Sequence, residues 1–435
     1  KTKEDYTIEI SRKSNKNLIE SMDIKGAKLQ NVADFKADLA AGNESYIIKL
    51  DSDKDDITFD NIKVSDGATY TVDGKKVEND KAIVPSGDIT RINVTAEDGV
   101  SVKNYLFLHE TTDGTLPYFT ISQESKDTAK QMLEDSGWYK RSEEETRSLG
   151  DAWGVYKDVA TGISLDGANI DDIRSYQYTQ PSDYGKNILE LVMIGENPYN
   201  YTDQNGNCIV TYLEEHWDGP WANDIWALMG LKAAGAKIPD KLVTTVINMA
   251  ANKTFDLDMR SWALGAISDM VPKTQLASLA EGFRNTLLTE GDEAGMFYNS
   301  WYKLSNSISH GCVLEGMSAA GIDVDKQFAV SDTASPLKTL KKYIKDNGFL
   351  YDLDATETMW AKDAIIGLGD IVNGDNVWKR AALTSDKYEA ILKTAKECYG
   401  EDGSSITDEA KREALKTAYD AAKTAFEGAK DMQGI

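Results

Sequence analysis

Asn223-Asp-Ile-Trp-Ala-Leu-Met-Gly-Leu-Lys-Ala-Ala-Gly235 decides the fold, because its ending returns as Met317-Ser-Ala-Ala-Gly321. The stretch is apolar on nearly every side, so a helix formed there has no solvent face and must be buried. Six segments share its plan of a polar capping cluster, an apolar helix and a closing small residue. They run from Gly150 onward, from Ser182 to Gly195, from Asn223 to Gly235, from Asp256 to Met270, from Ser305 to Gly321 and from Asp354 to Gly369. Asp183, Asn223, Asp256 or Asp258, Ser307 and Thr356 are the expected caps, since a side-chain oxygen satisfies orphan amides at a helix start. Small residues late in each helix permit close packing.

More polar helices alternate with these: Ser125–Asp135, Cys208–Glu215, Asp240–Ala251, Lys273–Thr289, Pro336–Lys345 and Asp386–Tyr399. An internal repeat of buried and amphipathic helices predicts an inner ring inside an outer ring.

Upstream the period changes to two. Short alternating runs at Tyr46–Leu50, Ile57–Phe59, Ala68–Val72, Ile89–Thr95 and Val102–Leu108 are separated by Asp66-Gly67, Asp73-Gly74, Ser86-Gly87 and Asp98-Gly99. Such runs and turn signals predict an antiparallel β-sandwich. Tyr6–Ile10 alternates like a strand already under way. The expected organisation is 1–13 as the last strand of a preceding repeat, 14–110 as the sandwich, and 111–118 as a Gly- and Pro-broken linker. The toroid then takes 119–399, and an Ala-rich amphipathic helical extension takes 400–435.

Composition narrows the function. The 435 residues hold 48 Lys and Arg against 72 Asp and Glu, a net charge of -24. That field repels phosphate backbones and anionic lipids, which argues against nucleic-acid partners. No run of eighteen apolar residues occurs, so no membrane-inserting helix is expected. Three cysteines and three histidines are too few for a disulfide scaffold or a Cys/His zinc cage. A chain poor in cysteine, acidic and rich in lysine suits a protein exported by a Gram-positive bacterium.

Three resemblances follow from these residues. Ser21–Gly26, Tyr46, Thr71-Val-Asp-Gly74, Val94–Gly99 and Tyr105 make residues 21–108 resemble the bacterial cadherin-like β-sandwich repeat, which implies a spacer or display platform. Gly195-Glu-Asn-Pro198, Asn223–Leu228, Ala233–Pro239, Asp256-Leu-Asp-Met259 with Trp262-Ala-Leu264, Ser318–Asp323 and Glu357-Thr-Met-Trp360 make residues 119–399 resemble the prenyltransferase/squalene-cyclase-like α/α toroid of bacterial cell-surface and cobalamin-binding transport proteins. The C-terminal helix resembles part of the helical spacer modules of Gram-positive surface proteins, or docks on the toroid.

The cyclases that share the toroid protonate an alkene with an Asp-rich motif. Asp256-Leu-Asp-Met259 lacks the fourth-position Asp and reads as a helix cap. Toroid prenyltransferases bind zinc through Asp, Cys and His, but no Asp-x-Cys occurs here, and neither the His310/Cys312 nor the Cys208/His216 pair has a third ligand by spacing. No cofactor and no stoichiometric zinc are therefore expected. Glu315, three residues after Cys312, excludes an internal thioester with glutamine. Asp51–Asp56 lacks the Gly and Glu of a calcium loop.

The aromatic pattern remains. Trp153, Trp226, Trp262 and Trp360 lie near inner-helix starts, where they either fill the core or line a mouth. The expected contact surface comprises Trp217, Trp221, Asp224, Asp258, Arg260, Trp301, Tyr302 and Glu357, with Arg260 as the cation meeting an anionic or aromatic group. The function expected is a secreted or cell-wall-associated binding or adhesion protein. Its ligand would be a glycan, a corrin-like small molecule or a host protein such as a glycoprotein or immunoglobulin. The alternative is an enzyme, either a polysaccharide lyase or a degenerate terpene cyclase.

Overall fold

The structure is a computed structural model, and it describes residues 13–140, 152–165, 169–217, 221–381 and 408–428. Antiparallel β-sheets are followed by a mostly helical region, and the chain divides into two compact units. The strand expected at Tyr6–Ile10 lies outside the described residues, as does the helix expected at Asp386–Tyr399.

The first unit holds residues up to Thr120 together with Val271–Glu281. Strands β1 (Ile19–Lys25), β4 (Ile57–Val64) and β7 (Ala82–Val84) form one sheet in the order β1-β4-β7. The other runs β2-β3-β9-β8-β5-β6, from β2 (Ala27–Leu29), β3 (Ser45–Leu50), β5 (Thr69–Val72), β6 (Lys75–Lys76), β8 (Ile89–Thr95) and β9 (Val102–Glu110). Every pairing is antiparallel except β3 with β9. Period-two alternation puts Ile48, Phe59, Ile92, Val94 and Phe107 in one shared core. At the β5–β6 hairpin, Asp73 and Gly74 both take positive φ (47° and 75°), which a two-residue primed turn requires. The short helix α1 (Phe35–Ala40) adds Phe35 edge-on to Tyr46, with ring centroids 5.2 Å apart.

In the second unit, α2 is Gln123–Asp135, α3 Ala152–Thr161, α4 Pro181–Met193, α5 Ile209–His216, α6 Trp221–Ala233, α7 Asp240–Ala251 and α8 Leu257–Ile267. Helix α9 (Lys273–Glu281) intervenes, and then come α10 (Ser307–Ala320), α11 (Lys362–Asn373) and α12 (Glu409–Gly428). Six of these make a closed circuit of contacts: α3 on α4, α4 on α6, α6 on α8, α8 on α10, α10 on α11, and α11 back on α3. The more polar α2, α5 and α7 pack on members of the circuit.

Glycines set how closely these helices cross. A Cβ on Gly185 of α4 would lie 2.2 Å from the Trp226 carbonyl oxygen of α6, and one on Gly311 of α10 would lie 2.2 Å from the Ala364 nitrogen of α11. Gly316 approaches Ser261 of α8, and Gly369 approaches Ala160 of α3, in the same way. Backbones touch where no side chain fits, and α6, α8 and α10 show almost no amphipathic signature.

Two expectations change here. Helix α9, read from the sequence as an outer helix, belongs to the first unit and packs on β3 and β9. Its Glu281 accepts two hydrogen bonds from the Arg91 guanidinium of β8 and one from the Tyr118 hydroxyl. The segment 111–118 is also tied down rather than open. Thr112 donates its amide and its hydroxyl to the Asp53 carboxylate, Thr111 closes a turn onto Thr115, and Tyr118 is fully buried.

Candidate functional site

The candidate site is built on a two-strand hairpin, β10 (Tyr298–Asn299) and β11 (Leu304–Ser305). Its turn holds Lys303 at a φ of +61° and carries Trp301, 66% exposed, and Tyr302, 50% exposed. Large aromatic surface left in water is costly, and here it rests on a rigid base.

That base is Asn299, which is fully buried. Its side-chain amide donates to Asp256 Oδ1 (2.8 Å), Asp258 Oδ1 (3.2 Å) and Ser309 Oγ (3.0 Å), and its carbonyl accepts from the Trp301 amide (2.9 Å). One side chain therefore joins the start of α8, the start of α10 and the aromatic turn. Asn306 caps α10 by accepting from the Ser309 amide, where Ser307 was the expected cap.

Below this knot lie further buried acids. Burial, followed by Asp256, raises the Asp258 carboxyl to about 7, against the opposing hydrogen bonds from Ser309 and Asn299. Burial raises Asp363 of α11 to about 6 and pushes Glu315 and Cys312 of α10 well above their ordinary values. Tyr302 and Tyr351 are both raised, first by burial and then by the charge of Asp258. Cys312 is held as a thiol, so it is a poor nucleophile. Asp258 is itself buried, so it supports the aromatic turn from below rather than lying on an exposed contact surface.

The tryptophans divide into two sets. Trp153 of α3, Trp226 of α6 and Trp262 of α8 meet with centroids 5.2–5.8 Å apart, and Trp378 and Tyr156 complete the cluster. They come from three members of the helix circuit, of which α6 and α8 are neighbours, and converge on one another. Trp360 lies 5.6 Å from Trp138 beside a separate cavity of about 440 Å³ lined also by Gly137, Lys140, Asp346, Asn347 and Thr358.

Of the residues expected at a contact surface, the structure brings Asp258, Trp301 and Tyr302 together. Trp217 is half-buried at the end of α5, and Trp221 opens α6 with its side chain outside the described part. Asp224 is buried in the first turn of α6. Glu357 is exposed just before the strand Thr358–Met359, and Thr356, expected to cap α11, precedes that strand instead. Arg260 needs a correction. It is 2% exposed, and its guanidinium lies 4.4 Å from the centre of the Phe283 ring. Burial lowers its proton affinity to about 10. It is an interior cation stacked on an aromatic face, not a surface anchor.

No family model matches this chain, and no curated protein matches it.

His310 is fully buried, and its Nδ1 accepts from the Phe297 amide at 3.4 Å, with the ring 5.4 Å from that of Phe297. Burial lowers it to about 3, so it remains neutral. Asn299, Asp363 and Glu315 were missed as site residues. A lone Asn inside the aromatic run Phe297-Tyr-Asn-Ser-Trp-Tyr302 was the available signal for the first. The two acids carry no local signal, because helix crossing alone brings them together.

Proposed function

We propose that this chain is a secreted or cell-surface binding protein of Gram-positive type. In this reading the β unit is a cadherin-like spacer, the helical unit is an α/α toroid, and the ligand docks on the toroid at the Trp301–Tyr302 turn. The closed circuit of six inner helices supports the toroid reading, and the shared core of two sheets supports the sandwich. The observation that carries the function is the exposed aromatic pair fixed to Asn299. Anchors of this kind bind well when their geometry is set in advance, because little side-chain entropy is lost on docking.

A glycan is the ligand class this surface favours. Two aromatic faces stack on sugar rings, while the Tyr302 and Tyr351 hydroxyls offer hydrogen bonds to sugar hydroxyls. The net charge of -24 directs the choice to neutral or amino sugars. The enzyme reading draws on the Asp258 carboxyl, which holds a proton near neutrality, but that carboxyl is buried and hydrogen-bonded to Asn299.

The test is a glycan array probed with the full chain and with Trp301→Ala and Tyr302→Ala. Each substitution should weaken binding by about 2 kcal/mol, near thirtyfold, without changing the melting temperature. Unchanged binding by both variants rejects the site.

A further inference from the structure

We propose that Cys312, Glu315 and Asp363 hold a divalent transition-metal ion, zinc by the chemistry of the set, at the crossing of α10 and α11. Cys312 and Glu315 are three residues apart and share one face of α10, and Asp363 faces them from the first turn of α11. The backbones meet here because Gly311 admits the Ala364 nitrogen. One ligand atom from each of the three residues lies within 4.8 Å of the others, and all three residues are buried.

The second observation is independent of that convergence. Glu315 is 1% exposed, and neither carboxylate oxygen has a hydrogen-bond partner of ordinary geometry. Two orphaned oxygens on one buried side chain are rare, because burying an unpaired polar group costs several kcal/mol. A cation between the helices would satisfy both the charge and the lone pairs. Trp262 Nε1, also without an acceptor, lies beside Glu315 and would serve as the outer donor that orients a metal-bound carboxylate.

The donor set selects the ion. One thiolate with two carboxylates suits zinc, whereas magnesium and calcium take oxygen alone. Zinc–sulfur and zinc–oxygen bonds of about 2.3 and about 2.1 Å put tetrahedral ligand atoms about 3.5 Å apart, so side-chain shifts of about 1 Å close the set. A water molecule would complete it. With all three ligands buried, the ion enters during folding, and binding contributes to stability. The sequence pointed away from metal because it paired Cys312 with His310, whereas the partners lie one turn along α10 and on the next inner helix.

The test uses the full chain expressed in zinc-supplemented medium and purified without chelator. Elemental analysis should find one zinc per chain. Apo protein titrated with cobalt should develop a thiolate-to-cobalt charge-transfer band that Cys312→Ser abolishes. Glu315→Gln and Asp363→Asn, which preserve shape, should each weaken zinc binding at least about a hundredfold, beyond the loss usual for an outer-shell partner. Absence of zinc together with absence of the cobalt band in the wild-type chain overturns the proposal, and so does zinc retained at full stoichiometry in all three variants. The wild-type cobalt spectrum decides the matter even if a variant fails to fold.

Discussion

Replacing Gly311 with alanine tests the α10–α11 crossing that brings Cys312 and Glu315 to Asp363. The new Cβ would lie 2.2 Å from the Ala364 nitrogen, 2.3 Å from the Asp363 carbonyl carbon and 2.6 Å from the Ala364 Cα. All three are backbone atoms, so no side chain can swing away. Restoring ordinary contact separates α10 from α11 by more than about 1 Å, a gap that forfeits up to half of the dispersion attraction across the seam. Overpacking of this kind costs about 3 kcal/mol, offset by about 1 kcal/mol of alanine's better helix propensity. The net loss is about 2 kcal/mol, which for a unit of this size lowers the melting temperature by about 4 °C. Gly265 of α8 is the control. Its Cβ would meet Ala319 Cβ at 3.4 Å, an ordinary contact, so Gly265→Ala should be neutral or slightly stabilising. Calorimetry and urea unfolding of both variants give the comparison. Equal stability of Gly311→Ala and Gly265→Ala would refute the close crossing of α10 and α11.

The Asp258 carboxyl titrates at about 7 when folded, above its ordinary 3.8, so folding favours its protonated form. Its stabilising contribution is complete below about pH 4 and is lost as pH rises through 7, a change bounded at about 4 kcal/mol. In chelator-treated protein, urea midpoints should therefore fall between pH 5 and pH 8, and Asp258→Asn should flatten that slope; an unchanged slope assigns the pH dependence to other groups. In the β unit, Glu281→Ala leaves the largely buried Arg91 guanidinium without its bidentate partner and should cost about 3 kcal/mol. A loss below about 1 kcal/mol, read from unfolding followed by a probe in the β strands, would mean that water replaces the carboxylate there.

Much of the architecture was legible because it rests on short-range periodicity. Alternation at Ile89–Thr95 gives β8 with the same limits, and the apolar Asn223–Gly235 run gives the buried α6. The site was less legible. Asp258 and Arg260 read as rim residues because polar side chains near a helix start are usually exposed, yet α8 is enclosed on nearly all sides and buries both. The meeting of Cys312 and Glu315 with Asp363 depends on the register between two helices, which Gly311 sets through a contact that no local pattern records. Trp301 and Tyr302 were singled out because they lie in the loop leading to an expected inner-helix start, but their support by Asn299 required the three-dimensional hairpin.

The binding claim is tested most directly by hydrogen exchange on the full chain, with and without a saturating glycan from the array. Protection should concentrate in the backbone amides of residues 296–305 and 256–258, where the aromatic turn and its anchoring acids lie, and leave residues 19–110 unchanged. Protection confined to the β strands, with the 296–305 amides exchanging as before, would contradict the assignment of the ligand to the helical unit.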